Sequence, residues 1–108
     1  MNYKIVYTDH FEHEVKRLAK KYISIRMDLE VLISSLEINP IQGKNLGKNC
    51  YKIRMAIGSK GQGKSGGARV IIHVFLSGQI VYMLSVYDKS EKDDISDNEI
   101  LNLLNRIK

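Results

Sequence analysis

A chain of 108 residues can bury one hydrophobic core but is too short for a cofactor-binding domain beside a substrate domain, so one module spanning residues 1–108 is expected to carry the function. With 44% hydrophobic residues and no tract of Pro, Ser or Gln the composition excludes a disordered chain, and the single cysteine, Cys50, excludes an internal disulfide framework. The net charge of +5 is concentrated in residues 38–87, which hold Lys44, Lys48, Lys52, Arg54, Lys60, Lys64 and Arg69 without one acid, a one-sign field whose natural partner is nucleic acid.

In chain order, residues 2–7 read as a strand that breaks at Thr8 and Asp9, without the apolar core or cleavage site of a signal peptide. No later run reaches the ~18 apolar residues of a membrane helix, so no membrane association and a reducing, cytoplasmic location are expected. Thr8 is a natural helix cap. Phe11, Val15, Leu18, Ala19 and Tyr22, then Ile25, Leu29, Leu32, Ile33 and Leu36, recur at helical spacing, predicting a helical hairpin that ends near Asn39-Pro40. Residues 39–50 read as a polar, basic linker.

From Tyr51 the period becomes two, with Lys52 and Arg54 on one face of a strand and Tyr51, Ile53 and Met55 on the other. Strands over 68–76 and 79–87, joined at Ser77-Gly78, complete an antiparallel meander. Ser96 and Glu99 form a capping box for a last helix, with Ile95 and Ile100 placed as a hydrophobic staple. The expected architecture is α+β, with helices on one face of an antiparallel sheet and the opposite face open. If the face bearing Lys52 and Arg54 coincides with that bearing Arg69, Ile71 and His73, the open face is a basic groove; otherwise these are solvent-facing residues of a half-exposed sheet. Tyr82 and Tyr87 have opposite parity, so at most one should face that groove.

Gly58 to Ser65 satisfies a nucleotide-binding phosphate-loop pattern, but Gly-Gly and a strand follow where that chemistry needs a helix N-terminus, so no nucleotide cofactor is expected. His10, His13 and Glu14 lack a downstream third ligand, so no metal is expected either. Cys50 and His73 lack a third group for nucleophilic catalysis, and Asp93 and Asp94 stand where carboxylates serve a helix dipole.

The segment from Tyr51 to Ile100 resembles the C-terminal half of HigB-like toxins in the RelE/ParE superfamily. The resemblance rests on Lys52-Ile53-Arg54, the loop from Lys60 through two glycines to Lys64, Gly66-Gly67-Ala68-Arg69-Val70-Ile71, and Tyr87-Asp88-Lys89 before a short acidic run. It implies a RelE-like fold and the toxin of a type II toxin–antitoxin system, silenced by a cognate antitoxin, that enters the ribosome and cuts mRNA without metal. Position by position, it assigns Arg69 to the scissile phosphate and Lys52 to proton abstraction. Arg54 and Lys89 go to phosphate clamping and the leaving group, and Lys48, Lys60, Lys64 and Tyr87 to RNA binding. A tyrosine of RelE falls, by counting, on Ile95, which leaves base stacking to Tyr87. The superfamily also contains ParE toxins, which act on DNA gyrase, and a non-catalytic RNA-binding module is a third reading.

Overall fold

Thr8 ends the first strand and starts the first helix at once. In the structure, a computed structural model describing residues 2–107, its hydroxyl accepts from the Phe11 N–H at 3.2 Å and donates to the Met83 carbonyl at 2.9 Å, tying the cap to the sheet. The elements are β1 (Lys4–Tyr7), α1 (Asp9–Lys21), α2 (Ile25–Ile38), β2 (Lys44–Gly47), β3 (Cys50–Met55), β4 (Ala68–Phe75), β5 (Ile80–Asp88) and α3 (Asp97–Asn105). The sheet order is β1-β5-β4-β3-β2. The expected helical hairpin and three-strand meander are present. The sheet is only mostly antiparallel, because β1 joins β5 in parallel.

The linker expected over 39–50 contains a strand. Gly43 makes the crossing possible: its φ is +85°, and a Cβ there would lie 2.3 Å from the Lys52 carbonyl oxygen. β2 then turns into β3 through Lys48 and Asn49, with φ of 53° and 59°, the paired left-handed conformation of a two-residue hairpin turn. Its residues, Lys-Asn-Leu-Gly, carry no alternation, so only the turn could have revealed it.

Two apolar layers sandwich the sheet. On one face Ile53, Met55, Val70, Ile72, Val74, Val81, Met83 and Val86 pack against Phe11, Val15 and Leu18 of α1 and Ile25, Leu29 and Leu36 of α2. On the other, Cys50, Ile71, Leu84 and Tyr87 pack against Ile95, Ile100 and Leu103. The face expected to be open is therefore partly roofed by α3, which the staple and the Ser96–Glu99 capping box hold in place.

A bulge corrects the parity of the tyrosines. Ile71 pairs with Ser85 but Ile72 pairs with Met83, so β5 carries one extra residue, Leu84. That residue resets the period of two, and Tyr82 and Tyr87 both reach the α3 side.

Candidate active site

The face of β3 and β4 that α3 leaves uncovered is built from opposed cations. Register sets Arg54 directly across from Arg69, and Lys44 across from Lys52, and directly opposed residues share a face with Cβ atoms about 5 Å apart. Lys89 follows β5, where its N–H donates to the Gly67 carbonyl at 3.0 Å. Together Gly43, Lys44, Lys52, Arg54, Arg69 and Lys89 line a hollow of about 490 Å³, room for a nucleotide rather than a lone ion. Like charges opposed across strands destabilise a sheet by up to about 1 kcal/mol a pair, and an anion seated between them reverses the sign.

Arg69 is oriented by the glycine-rich loop. It is only 7% exposed, and its guanidinium donates to the carbonyls of Lys64 at 2.9 Å, Ala68 at 3.1 Å and Ser65 at 3.4 Å. The loop can close this tightly because Gly67 lacks a side chain, whose Cβ would lie 2.2 Å from the Met55 carbonyl. Ser65 leads through the two glycines into β4, so no helix N-terminus meets the loop.

Two solvent-exposed carboxylates pair with lysines of the groove. Asp94 accepts from Lys52 Nζ at 3.0 Å, and Asp93 accepts from Lys89 Nζ at 2.8 Å. The Lys52 ammonium beside Asp94, with a bond from the Ile95 N–H, holds the Asp94 carboxyl below the usual carboxylate range. These residues were expected to serve the dipole of α3; their partners are the groove lysines instead.

Residues 4–106 match the family described as the RelE toxin of the RelE/RelB toxin–antitoxin system. The chain belongs to the RelE toxin family. It is similar in fold to a double arginine-to-alanine mutant of the E. coli toxin RelE in the free state, with a TM-score of 0.67, 20% identity and all of both chains covered. It is likewise similar to the isolated E. coli RelE toxin, with a TM-score of 0.63 and 20% identity over 98% of this chain and 99% of that one. The intact E. coli RelBE toxin–antitoxin complex contains a chain matched with a TM-score of 0.62 and 21% identity over 80% of this chain and 95% of that one. This chain is therefore a toxin of a type II toxin–antitoxin system, from a family whose activity is ribosome-dependent cleavage of mRNA.

Within this RelE-family chain the four residues assigned to chemistry, Lys52, Arg54, Arg69 and Lys89, line one hollow, and Lys44, passed over in the sequence, joins them. Its signal was the acid-free segment, but without β2 its face could not be read. The RNA-binding set is dispersed. Lys64 is exposed on the loop and shares a shallow depression with Arg54, whereas Lys48 is at the tip of the β2–β3 hairpin beside His73, Phe75 and Tyr82.

Lys60, expected to anchor RNA, is instead locked into the protein. Its ammonium donates to the fully buried Asp88 at 2.8 Å, where the Tyr22 hydroxyl donates at 2.5 Å and the Ser90 hydroxyl at 2.7 Å. Burial alone would push the Asp88 carboxyl up, but the bonds from Lys60, Tyr22 and Ser90 prevail and hold it well below the usual range. Asp88 thereby pins the base of the loop to the end of β5.

Tyr87, expected to stack on a base, is 2% exposed, and the Lys92 ammonium is 5.4 Å from its ring centroid. Its ring face is thus not offered to a base in this state, and its buried hydroxyl has no hydrogen-bond partner among the described residues. Burial, aided by the nearby Asp94, pushes that hydroxyl up to about 12. Ile95, at the counted position of the RelE tyrosine, is core. Cys50 Sγ lies 3.7 Å from His73 Nδ1, but burial pushes the thiol up to about 11 and the imidazole down, so the pair is a neutral contact rather than an activated nucleophile. Among the described residues no three His, Cys, Asp or Glu side chains gather in metal-binding geometry, and no helix is long and apolar enough to cross a membrane.

Proposed function

We propose that this toxin cuts mRNA in the ribosomal A site by attack of a ribose 2′-oxygen on the adjacent phosphorus, with expulsion of the 5′-oxygen and no metal. The bond made is 2′-O–P and the bond broken is P–O5′, leaving a 2′,3′-cyclic phosphate and a 5′-hydroxyl end. The extra negative charge of the phosphorane needs fixed donors, and Arg69, held by three carbonyls, is preorganised for that task. Lys52, once released from Asp94 and after giving up a proton to solvent, takes the 2′-OH proton as a neutral amine; Arg54 clamps the phosphate and the Lys89 ammonium delivers a proton to the leaving oxygen. Lys64, Lys48 and Lys44 extend the field toward flanking RNA or ribosomal RNA.

The observation that carries this reading is the pair of opposed cation couples, Lys44/Lys52 and Arg54/Arg69, on one uncovered face. Inside the family we place the chain on the HigB-like branch, on the order of its Lys-Ile-Arg, glycine-loop and Gly-Gly-Ala-Arg motifs. Its cognate antitoxin is a partner that covers or displaces this groove, in keeping with the toxin–antitoxin complex formed by the E. coli relative. The test is brief induction in cells with mapping of mRNA ends. Arrest of translation with mRNA cut inside codons is expected, relieved by co-expression of the neighbouring antitoxin gene. A DNA-damage response with intact mRNA would replace this reading with gyrase poisoning.

A further inference from the structure

We propose that Asp93 and Asp94 are internal counter-ions of the groove's lysines, holding Lys89 and Lys52 in the place of RNA phosphates, and that substrate binds by displacing them. The inference rests on the reading of the groove as the RNA site. It starts from a contrast between two kinds of ion pair in one short segment. Asp88 is fully buried and its Lys60 side chain is 11% exposed, so that pair is a permanent part of the fold. Asp94 is 64% exposed in its pair with Lys52, and Asp93 is 96% exposed in its pair with Lys89. Solvated pairs of that kind are weak and exchange readily for another anion.

The segment is nevertheless aimed. Upstream, the Asp88 carbonyl accepts from the N–H groups of both Glu91 and Lys92 at 3.0 Å. Glu91 is bound in turn by Arg17 and Lys21 at 3.2 Å, which ties the segment to α1. Downstream, Ile95 is buried and Ser96 caps α3. Both ends being fixed, the two carboxylates are kept within reach of Lys52 and Lys89 rather than swinging as a loose acidic tail. Lys44, Arg54 and Arg69, the other cations of the hollow, have no carboxylate partner among the described residues.

Two functions follow from this placement. The carboxylates lessen the repulsion of the Lys44/Lys52 couple in the free toxin, and they set a threshold for substrate. A ligand must present closely spaced phosphates to replace both, so isolated anions and weak RNA contacts are screened out.

The test uses the full chain and a short single-stranded RNA with 2′-O-methyl groups throughout, which binds without being cut, followed by fluorescence anisotropy at fixed low salt. Asp93→Asn with Asp94→Asn should tighten binding about fivefold to tenfold, the combined weight of two exposed pairs. The charge-matched control, Glu12→Gln with Glu30→Gln on the helical face, should change it by less than about twofold. On cleavable substrate the aspartate variant should show a lower KM without a higher kcat, a split that simple destabilisation does not produce. Tightening no greater than in the control, or weaker binding, overturns the proposal while leaving the groove reading standing. If Arg54→Gln and Lys52→Met leave RNA binding unchanged, the groove reading itself fails and takes this one with it.

Discussion

Replacing Arg54 by Gln should separate activity from stability in opposite directions. Arg54 is exposed on β3, has no carboxylate partner among the described residues, and faces Arg69, whose guanidinium three carbonyls hold in place. Two unit charges about 6 Å apart in a nearly aqueous dielectric repel by about 0.7 kcal/mol. Neutralising Arg54 removes that repulsion and loses little packing, so unfolding free energy should stay level or rise by up to about 1 kcal/mol. Loss of one donor to the phosphorane should cost about 3 kcal/mol of transition-state stabilisation, roughly a hundredfold in rate. Arg69→Ala serves less well, since it strips a donor from three carbonyls and should lower stability by about 2 kcal/mol while it lowers activity. Urea denaturation and cleavage on programmed ribosomes, run on the same preparations, read both quantities. Destabilisation of Arg54→Gln beyond about 1 kcal/mol, or activity within threefold of wild type, refutes the reasoning.

Lys60→Met leaves the buried Asp88 with only the longer contact to Lys21 at 3.7 Å as a cation partner and should cost about 2 kcal/mol in a urea titration; a change under about 0.5 kcal/mol would show that the pair does not hold the loop. The Asp88 carboxyl is depressed in the folded state relative to its ordinary value near 3.9, so its contribution is fully present above that value and is lost as pH falls below about 4. Thermal melts from pH 2 to 6 should therefore show a steep acid limb that is shallower in Asp88→Asn, and parallel limbs would contradict this. Tyr87→Phe removes a buried hydroxyl that has no partner among the described residues and should leave stability unchanged or raise it by about 1 kcal/mol. With the ring retained, cleavage by this variant should stay within about twofold, and a tenfold loss would give the hydroxyl a place in the chemistry.

The sequence revealed most where periodicity and capping agree. Thr8, Ser96 and Glu99 marked their helix starts, and the alternation around Lys52 and Arg54 placed those two on one face, while the register of β3 against β4 is what adds Arg69 to it. Its failures share a physical cause, the need for partners far away in the chain. β2 is strand only because Gly43 lets the chain cross over Lys52 and the Lys48-Asn49 turn returns it to β3. The Leu84 bulge answers the pairing of β4 with β5, and no local pattern announces that one residue will be left over. Lys60 and Lys64 are alike in composition and only four residues apart, yet one meets a buried aspartate and the other solvent. Asp93 and Asp94 sit where helix-dipole carboxylates belong, and their engagement with Lys89 and Lys52 depends on how the segment after β5 crosses the sheet.

The most direct measurement is primer extension on ribosomes programmed with a defined A-site codon and treated with purified toxin. Wild type should cut within that codon only when the ribosome is present, leaving a 5′-hydroxyl end. Arg54→Gln combined with Arg69→Ala should abolish the cut. An uncut message with wild type, or undiminished cutting by the double variant, would contradict the assignment of mRNA cleavage to this groove.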